Sequence, residues 1–78
     1  MPTILRIGPY RFFFYSNEAG EPPHVHVARD AAVAKYWIEP VRFARSNGFP
    51  PAELRKIADL VGENEATIMD AWNEYFGD

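Results

Sequence analysis

One stretch near the middle of the chain restricts the fold most, because its pattern is that of two short strands joined by a tight turn. His24–Arg29 (HVHVAR) and residues 33–38 (VAKYWI) are rich in β-branched and aromatic side chains, and Asp30-Ala31 follows the first run. A two-residue turn at Asp30-Ala31 sets one register, but alanine tolerates the positive φ of such a turn poorly, and a longer loop would shift the pairing. The sequence therefore predicts an antiparallel hairpin.

Alternation along this hairpin gives its two faces different chemistry. With the two-residue turn, Arg29 lies opposite Ala32, His26 opposite Lys35 and His24 opposite Trp37. One face, called the histidine face below, then carries His24, His26, Lys35 and Trp37. The other face is apolar and should meet the helices; it carries Val25, Val27, Ala34, Tyr36 and Ile38.

The N-terminal segment predicts two further strands. Residues 4–8 are mostly apolar and end at a Gly-Pro turn signal, and residues 10–16 (YRFFFYS) place aromatic rings on both faces of a strand. A strand with no polar face requires a second covering layer or a partner. Residues 17–23 form a loop, because glycine and proline interrupt them.

The second half of the chain has the pattern of helices. Pro40 suits the first turn of a helix, which predicts a short helix through Ser46. Pro50-Pro51 opens a second, long helix that extends to about Phe76, with an apolar stripe along one side. Asn64 lies in a polar run that interrupts this stripe and could cap a new helix, so a break there stays open.

These elements predict one α+β domain over residues 1–78, with an antiparallel sheet of three to four strands in the N-terminal half. The short helix and the long C-terminal helix pack on that sheet. The chain contains no cysteine, which excludes disulfides, thiolate zinc sites and a cysteine nucleophile. No apolar stretch approaches the roughly 20 residues that span a bilayer, and the N-terminus does not resemble a signal peptide, so we predict a cytoplasmic protein without membrane contact.

The charge is unevenly distributed. The chain carries a net charge of -3, but residues 1–47 contain six Lys and Arg against four Asp and Glu, whereas residues 48–78 contain two against seven. Phosphate would repel the chain as a whole, unless the basic half presents one face to RNA. Charge thus argues weakly against nucleic acid.

The two histidines are the strongest candidates for chemistry. His24 and His26 are two apart on a strand and point to the same side, about 7 Å apart at Cα. A zinc site would need a third ligand. None of the acidic residues near the two histidines lies at a spacing typical of a metal motif; these acids are Glu21, Asp30 and Glu39. We therefore predict no metal and no cofactor.

Two metal-free interpretations remain. In one, His24 or His26 is a general acid or base, Lys35 or Arg29 stabilises developing charge, and Trp37 stacks on a base, which suits cleavage of RNA through its 2′-hydroxyl. In the other, the histidines are non-catalytic residues of a sheet face or a subunit interface.

Arg42 and Arg45 are candidate binding residues. Three apart on the predicted short helix, they would share one side and contact either phosphate or the chain's own acidic C-terminal part. The last helix carries an acidic face that is solvated or docks a basic partner; it contains Glu63, Glu65, Asp70 and Glu74.

Residues 2–77 resemble, nearly end to end, short bacterial proteins grouped as domain of unknown function 4160. The resemblance rests on PTILRIGPYRFFFYSNE, EPPHVHV, AKYWIEPVRFARSNGF and AWNEYFG together. This chain has Asp30-Ala31 where such members usually have Asp-Gly, and Gly62 where they often have Glu. Genes of the family often lie beside a second small gene, in pairs that look like toxin-antitoxin modules.

We hypothesise that the chain is a non-catalytic protein-interaction component of such a pair, with a protein partner or as a homo-oligomer. The alternative is a toxin-like ribonuclease that uses His24 and His26 on RNA.

Overall fold

The computed structural model describes residues 3–77, so the ends of the predicted domain lie outside it. Five strands precede two helices: β1 (Thr3–Ile7), β2 (Tyr10–Phe13), β3 (His24–Arg29), β4 (Ala32–Trp37), β5 (Arg42–Asn47), α1 (Pro51–Glu63) and α2 (Glu65–Phe76). Each strand pairs antiparallel with the next, in the spatial order β1-β2-β3-β4-β5. The α+β class is confirmed, and the sheet has five strands instead of three to four.

The predicted hairpin is confirmed, and its pairing is the one that a two-residue turn sets, not that of a longer loop. Arg29 pairs with Ala32, as a two-residue turn requires. Asp30 alone takes the positive φ, at 54°, among the non-glycine residues of the described chain. Aspartate tolerates this conformation better than most residues, so the turn does not need a glycine at position 31.

The predicted short helix over 40–46 is wrong, because this part of the chain forms β5. Pro40 lies in the turn between β4 and β5, and residues 42–47 then pair along β4. Five of these six residues have a partner in β4, and the ladder satisfies backbone groups that a short isolated helix would leave open to water at both ends. Tertiary pairing has therefore overridden the local helix signal at Pro40.

A β-bulge in β5 brings two arginines to one side of the sheet. Lys35 lies opposite Arg45. The next residue of β4, Tyr36, lies opposite Phe43, which leaves one extra residue in β5. In a regular strand Arg42 and Arg45 would point to opposite faces, because side chains alternate. The bulge places both on the histidine face.

The helices cover the other face of the sheet, as the alternation predicts. Tyr36 donates a hydrogen bond of 2.7 Å from its hydroxyl to the carbonyl oxygen of Leu54 in α1. The core between the layers contains Phe12, Phe14, Val25, Val27, Ala34, Tyr36, Ile38, Ile57, Val61, Ile68 and Trp72. No helix within residues 3–77 is long and apolar enough to cross a membrane.

The predicted single long helix is interrupted at Asn64. A continuous helix over residues 51–76 would be about 39 Å long at 1.5 Å per residue. The longest dimension of the molecule is 35 Å, so the break keeps both apolar stripes within reach of the sheet. The Asn64 side chain donates a 2.8 Å hydrogen bond to the carbonyl oxygen of Leu60, and it thus caps the end of α1 instead of the start of α2.

Candidate functional site

The histidine face is covered by the chain's own loop between β2 and β3. Two carboxylates of this loop, Glu18 and Glu21, contact the sheet residues below them. His24 is 0% exposed, His26 3% and Lys35 5%. These three side chains therefore form a buried polar layer.

Glu18 is the centre of this layer. Its Oε1 lies 2.9 Å from Nε2 of His24 and 3.0 Å from Nε2 of His26. Sequence reasoning considered Glu21 and two more distant acids but missed Glu18. A signal was present: β3 runs antiparallel to β2, so the connecting loop must return across the start of β3, where both histidines lie.

The hydrogen bonds of His24 determine which ring nitrogen carries its proton. Nδ1 lies 2.9 Å from the carbonyl oxygen of Pro22, which only accepts, so Nδ1 is the donor. Nε2 is buried and makes no hydrogen bond within residues 3–77, although Oε1 of Glu18 is close to it. Nε2 of His24 therefore lies 2.9 Å from a carboxylate oxygen without the geometry of a hydrogen bond.

Burial and hydrogen bonding set the charges of the other two groups. Burial lowers the pKa of His26, and its hydrogen bond to Glu18 opposes this only in part. Burial raises the pKa of Glu18, but the two imidazoles beside it outweigh this and hold the pKa below its usual value. At neutral pH the layer thus contains a carboxylate anion beside a neutral His26.

Both candidate catalytic cations are already paired with carboxylates. Nζ of Lys35 donates to Oε1 of Glu21 at 2.7 Å. Arg29 points to the opposite face of the sheet, where it forms a bidentate pair with Glu53 of α1 at 2.6 and 2.7 Å. Tyr10 also donates to Glu53 at 2.7 Å, and the pKa of Glu53 is lowered by Arg29 first and by Tyr10 second.

An open cavity lies on the histidine face beside β4 and β5. Its volume is about 310 Å³, and its lining includes Tyr15, His26, Lys35 and Arg45. Two cations and an imidazole at one cavity would suit an anionic group.

The sequence comparison adds a family to this geometry. A family model described as Domain of unknown function (DUF4160) matches residues 10–73. The chain belongs to this family. The match contains the loop with Glu18, both histidines and all of β2 to β5, and it confirms the resemblance noted from the sequence. No curated protein and no solved structure matches the chain.

In this DUF4160 protein the predicted site residues divide into two groups. The fold brings His24, His26, Lys35 and Trp37 together on one face, with the His24 and Trp37 ring centroids 5.6 Å apart. It separates Arg29 from them, since Arg29 shares the face of Val25 and Val27. The two binding candidates lie exposed on β5 and form no ion pair within residues 3–77; they are Arg42 and Arg45.

Proposed function

We propose that this chain is a non-catalytic, protein-binding component of a toxin-antitoxin-like gene pair. The support is the state of the catalytic candidates: His24 has no exposed surface, and Lys35 and Arg29 are each held by a carboxylate of the same chain. A general acid or a stabilising cation must come within hydrogen-bonding reach of the substrate. The gene-pair context comes from the family resemblance.

The surface best suited to a partner is the outer edge of β5. Among residues 3–77 this strand pairs only with β4, so its other edge presents backbone donors and acceptors that no other strand of the described part uses. Phe43 is 52% exposed, and Arg42 and Arg45 flank it, without an acidic residue in the strand. This combination suits an acidic segment with an apolar residue that adds to the sheet as a sixth strand. We assign that segment to the product of the neighbouring gene.

Charge reversal on β5 tests this assignment. In titrations of the purified neighbouring gene product, the double variant Arg42→Glu/Arg45→Glu should bind it roughly tenfold more weakly or worse, because like charges then face each other. The matched control, Arg6→Glu/Arg55→Glu, makes the same change of net charge at exposed positions of β1 and α1 and should bind as the wild type does. Isothermal titration calorimetry measures both. Equal weakening in the two variants, or no complex with the wild type, contradicts the proposal.

The cavity beside His26 supports a second candidate, a toxin-like ribonuclease. There His26 would act as general base, and Lys35 and Arg45 would hold a phosphate. On this hypothesis, induced expression of the wild type in a bacterial culture arrests growth and His26→Ala relieves the arrest. Arg6→Ala, far from the cavity, should still arrest growth at matched soluble protein levels. Unimpaired growth with the wild type, or arrest that survives His26→Ala, contradicts catalysis and favours the binding function.

A further inference from the structure

We infer that Glu18, His24 and His26 bind one divalent transition-metal ion, with zinc as the ion whose ligand preferences fit best. One ligand atom from each residue lies within 4.8 Å of the other two. Two imidazole nitrogens and one carboxylate oxygen form a ligand set that zinc takes in proteins, with a fourth position left for a solvent or partner ligand. The inference is independent of the proposed function.

The distances fit an ion at the centre of the three groups. Zinc bonds of about 2.1 Å in a tetrahedron place neighbouring ligand atoms about 3.4 Å apart. The Glu18 oxygen is now 2.9 Å from one Nε2 and 3.0 Å from the other, slightly closer than an ion requires. Both histidines lie on β3, whereas Glu18 lies in an irregular loop. An outward shift of the carboxylate would therefore open the site, and the separation of the two imidazole nitrogens, at most 4.8 Å, sets how far the rings must also close on the ion.

The hydrogen bonding of His24 is that of a metal ligand. Metal-bound histidines usually donate their second ring N–H to a carbonyl or carboxylate, which fixes the tautomer and aims the free lone pair at the ion. His24 donates from Nδ1 to the Pro22 carbonyl oxygen at 2.9 Å. Its Nε2 is fully buried, lacks a hydrogen bond among the described residues and points at Glu18. An ion at that point would give this buried nitrogen the partner that it lacks among the described residues.

Aromatic side chains hold both imidazoles in place. The His24 ring packs against Trp37 and Trp72, at centroid distances of 5.6 and 5.1 Å. The His26 ring stacks on Phe13 at 5.4 Å, with 24° between the planes. Ligands whose rotamers are fixed by packing lose little freedom when they bind, so the site is preorganised for an ion.

Zinc titration of the untagged full chain tests the inference. After removal of metals with a chelator, the wild type should bind one equivalent of ZnCl₂ in isothermal titration calorimetry. Glu18→Gln and His26→Gln each remove one ligand and nearly keep the size of the side chain. Loss of a group that only supports a ligand costs roughly 10–100-fold in metal affinity. Loss of a ligand itself should therefore lower the zinc affinity by more than that. The matched control is Glu21→Gln, which alters a neighbouring carboxylate bound to Lys35 and should bind zinc as the wild type does.

Cobalt provides a second readout. Co²⁺ bound by the wild type and the Glu21→Gln control should show the visible absorption of a four- or five-coordinate ion, and the ligand variants should lose it. Circular dichroism checks that each variant is folded. If one of the two ligand variants is unfolded, the zinc affinity of the other ligand variant decides the result. If the three groups form only a hydrogen-bonded cluster, the wild type binds no stoichiometric zinc. That result, or binding that Glu18→Gln and His26→Gln leave unchanged, overturns the inference.

Discussion

Replacing Phe14 by alanine is expected to lower the free energy of unfolding by about 3–5 kcal/mol, because it deletes a fully buried ring and leaves a cavity. Phe14 is 0% exposed and follows β2 directly. Its ring contacts Trp72 of α2 edge-on, at a centroid distance of 5.2 Å, and Phe76 at 5.7 Å. The Phe14 ring therefore packs α2 against the sheet. A domain of this size has a total stability of only about 4–12 kcal/mol.

Urea denaturation followed by circular dichroism measures the Phe14→Ala effect. The control is Phe43→Ala, since Phe43 is 52% exposed and its loss should cost less than about 1 kcal/mol. Amide hydrogen exchange should also show the largest loss of protection in α2. A cost at Phe14 as small as that at Phe43 would mean that α2 does not pack on the sheet in this way in solution.

Gly48→Ala is the second large effect, with an expected loss of roughly 2–4 kcal/mol from backbone strain and a steric clash together. Gly48 follows β5 with φ at +102°, where side chains are rarely tolerated. An added Cβ would lie 3.0 Å from the Cβ and 3.1 Å from the Cα of Ala32 at the start of β4. Backbone cannot yield as a flexible side chain does, so the strand ends would have to separate.

Thermal and urea unfolding of two other glycine variants distinguishes the contribution of backbone strain from that of the steric clash. Gly8 also has a positive φ, of +55°, but nothing lies within 4 Å of an added Cβ, so Gly8→Ala should cost only the roughly 1–2 kcal/mol of a left-handed residue. Gly62 lies in the last turn of α1 with equally open space, where helix propensity counts for less than in a helix interior, and Gly62→Ala should stabilise the protein by at most roughly 1 kcal/mol. A Gly48→Ala cost no larger than that of Gly8→Ala would contradict the close approach to Ala32.

The hairpin of β3 and β4 could be predicted because its determinants are local, whereas the choice between a two-residue turn and a longer loop stayed open. Period-two alternation sorts its faces, and a two-residue turn leaves one register in which Arg29 meets Ala32. The same alternation assigns Arg29 to the apolar face. Grouping Arg29 with the histidines as a catalytic cation therefore neglected a signal that the sequence contained.

The candidate site was predictable only in part. Two histidines at alternate positions of a strand must share a face, and the structure has them so. Their burial, and the convergence of both rings on Glu18, depend on the path of an irregular loop rich in glycine and proline. Such a loop has no period that predicts where its carboxylates lie.

The errors in the second half have one cause. Pro40 begins helices and hairpin turns alike, and only pairing with β4 decided that residues 42–47 form a strand. The bulge that brings Arg42 and Arg45 to one face likewise exists only in the paired sheet. The interruption at Asn64 had a local signal, but whether a helix bends there depends on the size of the surface that it must cover.

The sequence by itself determined the α+β class, the order of strands before helices, the presence of the central hairpin and the face shared by His24 and His26. These follow from side-chain period and turn chemistry, which act between residues close in the chain. Only the tertiary structure decided that β5 is a strand, that Glu18 lies on both histidines and that Arg29 pairs with Glu53. The Arg29–Glu53 pair joins residues 24 apart in sequence, and the stability of all three outcomes comes from pairing and burial that exist only once the sheet and helices have packed.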